Sequence, residues 1–270
     1  MKPSRKIRNV FVAALLSFAA TATAENAEPK TIYEAAEKSW AVGTVQLGRA
    51  LKFRQGQLLA FPSTINELLW APKKTKPRNL MFIYEVPEAE KDHPYYNEHD
   101  VFFAPIRLLS EHAYWKDNLP TTRRHDVAGR RYVFRGDDIA EAKKILGGFL
   151  PATELHGRDR WKGEVRGLVA ALGAHNAVLR EDAVVFLSSL PQLKDGFEDT
   201  DVAAVASYLS GDAPAAEKTK LIDAAAAANL TALKPTFDEL AKRTDTVGAA
   251  ARKAADRLGG VADQAQAAQH

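Results

Sequence analysis

Asn79-Leu-Met-Phe-Ile-Tyr-Glu-Val86 is the stretch that sets the fold of the N-terminal half. Its aromatic and β-branched side chains favour a strand, and its nearly continuous apolar run predicts burial on both faces. The flanking segments read the same way. Trp40-Ala-Val-Gly-Thr-Val-Gln-Leu-Gly48 places Val42, Thr44 and Gln46 on one face, and Gly48 predicts a bulge or sharp bend. Residues 51–54 and 57–61 flank Gln55-Gly56, the signature of a hairpin. Residues 100–107 form a further strand, whose Pro105 predicts an edge or an end. Residues 130–135 close the set. A short helix is expected over 32–38, and a single helical turn over 66–70. Four to six strands between Thr31 and Gly136, with little helix, predict a small closed or half-closed barrel.

Composition changes sharply further on. Seventeen aromatic residues lie between Thr31 and Trp161, and only four follow Gly163. Alanine moves the other way, reaching 22 of the 72 residues after Glu198. Alanine, leucine, lysine and glutamate favour helix, so the second half is expected to be all-helical. Asp137 and Asp138 open a helix expected to stop at Gly147-Gly148. Helices follow over 158–172, 177–190, 200–209, 214–228, 230–242 and 246–258. Gly173, Pro191, Gly211-Asp212, Asn229 and Asp245 mark their joints. Val165, Leu168, Val169 and Leu172 carry the 3–4 spacing of a buried helix face. The fold class is therefore α+β: a barrel-like module over 31–136, a helical module over 137–258, and a frayed tail over 259–270.

Asp245-Thr-Val-Gly-Ala-Ala-Ala-Arg-Lys-Ala-Ala-Asp-Arg-Leu258 resembles the second helix of a HEAT or armadillo-type repeat. Asp245, Val247, Ala250, Ala251, Ala254 and Leu258 fit the pattern, and Gly248 replaces the usual basic residue. Leu179, Arg180 and Ala183 echo it 68 residues earlier, a distance that suits two repeat units. The resemblance spans about residues 158–258. It implies a stack of about three helix pairs whose usual role is binding or scaffolding, and it brings no catalytic residues. The β module resembles a small OB- or NTR-type barrel.

The first 24 residues read as a secretory signal. Lys2, Arg5, Lys6 and Arg8 precede an apolar stretch from Val10 to Ala20, and Ala22-Thr23-Ala24 offers a cleavage site before Glu25. Removing four cations leaves 33 basic against 34 acidic residues, a net charge of −1, from totals of 37 and 34. A generic polyanion binder is disfavoured by that balance, so nucleic acid is not an expected partner. No later segment has the apolar length of a membrane span. The expected location is periplasmic or extracellular. The absence of cysteine excludes thiolate zinc sites, disulfides, c-type haem attachment, thiol catalysis and lipoprotein anchoring.

Three constellations are candidates for chemistry. His93-Pro-Tyr-Tyr-Asn-Glu-His99-Asp100 sets two imidazoles among carboxylates, although Pro94 prevents an i, i+4 helical metal pair. His125-Asp126 and His112 supply a base and an orienting carboxylate, but no Gly-x-Ser-x-Gly elbow accompanies them. Lys73, Lys74, Lys76 and Arg78, with Arg123 and Arg124, form two basic clusters in a β module carrying 16 basic and 12 acidic residues. These six are the expected anion- or partner-binding residues. No cofactor motif and no metal site is assigned. The leading expectation is a non-enzymatic exported binding or scaffolding protein that meets an envelope protein or an anionic glycan or lipid surface. The alternatives are an envelope hydrolase or metal-binding enzyme using His93, His99, His112 or His125, and a structural component that binds anionic polymer.

Overall fold

The computed structural model describes residues 28–72, 79–109, 124–189 and 191–267. Strands β1 (Ala41–Leu47), β2 (Leu51–Phe53), β3 (Leu58–Trp70), β4 (Asn79–Glu85), β5 (Val101–Leu108) and β6 (Arg124–Val127) form one sheet. Five of them close on themselves in the order β1-β5-β6-β4-β3-β1, while β2 flanks β3. Every pairing is antiparallel except β4 with β6, where Met81 faces Arg124 and Phe82 faces His125.

The long strand β3 makes closure feasible. Its first residues pair with β2, Leu51 opposite Ala60, and its later residues pair with β1, Leu47 opposite Ser63. Two register shifts bend the β1–β3 ladder, one beside Gly43. A Cβ on Gly43 would lie 2.6 Å from the Glu67 carbonyl oxygen, so the strands approach there as only glycine allows. Gly48 forms the bend expected of it: its N–H donates to the Pro62 carbonyl at 2.8 Å, and a Cβ would lie 2.2 Å from that oxygen.

The apolar run of β4 is buried on both faces. Leu80, Phe82 and Tyr84 join Phe61, Phe102 and Ile106 in the barrel core, whereas Ile83 packs outside with Leu58 and Ala60. Several expectations are corrected. Residues 66–70 are the end of β3, not a helical turn, because β1 satisfies their backbone. The last strand is 124–127; Arg130–Tyr132 is a 3₁₀ turn, and Phe134 makes a single bridge to Phe103. β5 is not an edge strand, since it pairs with both β1 and β6. Pro105 is tolerated because it lies beyond β6, in the gap between Val127 and the Phe134 bridge, where its carbonyl still accepts from the Ala128 N–H.

A short helix, α1 (Ile32–Glu37), precedes the barrel, with the Thr31 hydroxyl accepting from the Glu34 N–H as N-cap. Seven helices follow the barrel among the described residues: α2 (Asp138–Thr153), α3 (Gly157–Ala171), α4 (Ala177–Ser189), α5 (Asp199–Ser210), α6 (Ala215–Ala227), α7 (Lys234–Leu240) and α8 (Thr246–Ala267). Gly147-Gly148 does not stop α2. Ile145, Leu146, Phe149 and Leu150 are buried along it, and that packing outweighs the cost of two glycines, about 1 kcal/mol each. Nor does α8 stop at Leu258; its backbone stays helical to Ala267. Gly248 is needed at its place in α8, because a Cβ there would lie 2.2 Å from the Arg243 carbonyl oxygen.

One buried cluster crosses the expected boundary at Gly136. Ile32, Tyr33 and Ala36 of α1 share it with Phe103 and Phe134 of the barrel half and with Phe149, Leu179 and Phe186 of the helices. The Tyr33 ring lies 5.0 Å from that of Phe149 and 5.9 Å from that of Phe186.

Candidate functional site

The C-terminal turn of α4 stands among three recesses. The first is an apolar cavity of about 100 Å³ between α4, the 3₁₀ turn at Pro191–Gly196, α5 and α6. Leu187, Leu193, Phe197, Val205, Leu221 and Ala225 line it. The end of α6 presents Ala224, Ala225 and Ala227 here, followed by its C-cap Ala228, and small side chains leave space that larger ones would fill. Its polar lining is sparse. Ser188 donates its hydroxyl to the Val184 carbonyl at 2.6 Å, and Lys194 is exposed.

The second recess is a shallow strip of Val185, Ser189, Lys220 and Asp223 that shares Ser188, Ala224 and Ala227 with the cavity. The third is a charged cleft between α1, α3 and α4, which shares Val185 and Ser189 with the strip. Arg160 organises it, its Nε donating to Glu164 at 2.6 Å and its Nη2 to Glu37 at 2.5 Å. Burial pushes the Glu164 carboxyl up and Arg160 opposes this; nearby Glu37 pushes it further up. Trp161, Lys30 and the Glu34–Lys38 pair also line it. All three acids, Glu34, Glu37 and Glu164, are held in ion pairs, so the cleft presents organised charge suited to polar recognition.

None of the described residues expected from sequence lines these recesses. Lys73, Lys74, Lys76, Arg78 and Arg123 lie outside the described residues, as does His112. Arg124 opens β6, where its backbone pairs with Met81. The His93–Asp100 loop is pinned to the barrel by its tyrosines. Tyr96 is buried against Phe82 and Phe102, and Arg135 binds Asp100 at 2.9 Å and the Tyr95 carbonyl at 3.1 Å. Tyr84 and Arg130 both bond Glu90, and the Asn97 N–H donates to Asp100 at 3.0 Å. This part of the chain is built to hold a loop.

His125 and Asp126 do not form a base and orienter. They alternate on β6: His125 is buried with its ring 4.4 Å from that of Trp40, and Asp126 pairs with Arg107 at 3.2 Å. Burial pushes the Asp126 carboxyl up, and Arg107 opposes the shift. Among the described residues, no group of three or more His, Asp or Glu is placed to hold a metal ion. None of their helices is long and apolar enough to cross a membrane.

The groove around α4 escaped sequence reasoning. Its one trace in the sequence is the five-alanine run, which reads equally well as close helix packing. Comparison of the chain with protein-family models, with curated proteins and with solved structures finds no match.

Proposed function

We propose that this chain is an exported, non-enzymatic binding or scaffolding protein of the cell envelope, and that it binds its partner in the groove around the end of α4. The observation that carries the reading is the shared lining. Ser188, Ala224 and Ala227 belong to both cavity and strip, and Val185 and Ser189 to both strip and cleft, so apolar and charged recesses form one continuous surface. Concave apolar sites with a few placed polar groups are the usual form of recognition surfaces. The successive packing of α2 on α3, α4 on α6 and α6 on α8 is compatible with a HEAT-like array, and such arrays bind along their grooves. The basic, apolar and small-residue segments of residues 1–24 support export.

The test is retention of envelope protein by the immobilised mature chain, compared with Ser188→Glu and Ala224→Glu variants of unchanged melting temperature. Specific bands lost with both variants support the groove. Bands retained equally by all three chains overturn it.

A second reading is that the barrel binds an anionic glycan or lipid surface. The parallel register of β4 and β6 favours it. Both strands start at the same end of the barrel; in sequence Lys73–Arg78 runs up to the start of β4, and Arg123-Arg124 spans the start of β6. A five-stranded closed barrel is compatible with an OB-type fold, which carries oligomer-binding faces. Neutralising Lys73, Lys74, Lys76 and Arg78 together is expected to weaken capture by anionic vesicles and flatten its salt dependence. Unchanged capture would contradict this reading.

A further inference from the structure

We infer that the cavity bounded by Leu187, Leu193, Phe197, Val205 and Leu221 takes the aliphatic tail of a small monocarboxylate, whose carboxylate rests against Lys194. This rests on the binding reading of the same groove and names its ligand class.

Size comes first. An apolar protein cavity of about 150 Å³ stays dry and admits benzene. At about 100 Å³, this one holds roughly four to six carbons. The lining then selects the chemistry. Its leucines, Val205, Phe197 and alanines offer water no hydrogen bond, and the Ser188 proton is already given to Val184. Unfilled, those side chains forgo dispersion contacts that a hydrocarbon tail restores.

Charge decides the other end of the ligand. Lys194 is the charged residue among the described lining residues, it is exposed, and it has no ion-pair partner among the described residues. Lys220 is the other cation of the groove, but it lines the shallow strip beside Asp223 and not the cavity itself. An anion arriving at this mouth therefore meets an available ammonium. A tail longer than the cavity would run out along Ser188, Ala224 and Ala227, where the strip is shallow and contacts are fewer.

The experiment titrates the mature chain with butanoate, hexanoate, octanoate and hexan-1-ol by calorimetry at low salt. Affinity is expected to rise about fourfold per methylene from butanoate to hexanoate, then flatten once the cavity is full. Lys194→Gln is expected to weaken hexanoate about two- to fivefold and leave hexan-1-ol unchanged. Ala224→Leu, or Ala228→Leu if the first does not fold, is expected to abolish binding of both. No binding, affinity indifferent to chain length, equal loss of acid and alcohol in Lys194→Gln, or full binding in the filled variant would each overturn the assignment. If carboxylates fail but groove variants still lose their envelope protein, the ligand class falls and the groove stands. If both fail, the groove reading falls with it.

Discussion

The backbone N–H of Ile32 donates to Asp182 Oδ2 at 2.6 Å, across 150 residues of sequence. The other carboxylate oxygen takes Arg131 from the turn that follows the barrel. One buried side chain thus ties α1, the barrel half and α4 together. The Tyr33 hydroxyl adds a bond to the Leu179 carbonyl at 2.9 Å, and the Tyr132 hydroxyl another to that of Pro29 at 3.0 Å. Because α4 also forms one wall of the groove, this joint fixes the barrel relative to the proposed binding surface.

Asp182→Ala is expected to cost about 1–3 kcal/mol, because the Ile32 N–H is left buried without an acceptor. Urea denaturation measures it. A loss below about 0.5 kcal/mol would show that the joint does not hold the two halves.

The same carboxyl sets a pH dependence. Burial raises its pKa above the ordinary value of 3.8, with the Ile32 N–H and Arg131 opposing. The folded state therefore binds the proton more readily than the unfolded state, and stability from this group grows as pH falls. Wild type should gain stability relative to Asp182→Asn between pH 7 and pH 4. A difference that stays flat, or moves the other way, would contradict this.

Two glycines of the α2–α3 pair should respond oppositely. A Cβ on Gly167 would lie 2.9 Å from the Phe149 Cα, so Gly167→Ala must push the helices apart and is expected to cost about 1–3 kcal/mol. Gly148 is exposed on α2 with nothing within 4 Å of its Cβ position, so Gly148→Ala should gain about 0.5–1 kcal/mol. Thermal melts of the two variants check both signs.

Much of the fold was legible because local pattern and burial coincide. The apolar run of β4 is buried on both faces as read, and Val165, Leu168, Val169 and Leu172 all turn inward from the α3 region. What was hidden depends on neighbours. Arg124-His-Asp-Val127 has one aliphatic residue and no strand signature, yet β4 and β5 supply it with partners on either side. Gly147-Gly148 reads as a stop until the buried face of α2 is known. The groove was least legible of all. Leu187 comes from α4, Leu221 from α6 and Phe197 from the link before α5, and only packing shows the gap between them. Sequence pointed instead to basic clusters and histidines, which announce themselves by residue type.

The most direct test of the groove is methyl NMR on residues 25–270 titrated with hexanoate. The account predicts saturable shifts at Leu187, Val205 and Leu221, with Val45, Leu59 and Leu80 in the barrel unmoved. Shifts confined to the barrel methyls, or none at the three cavity residues, would contradict it.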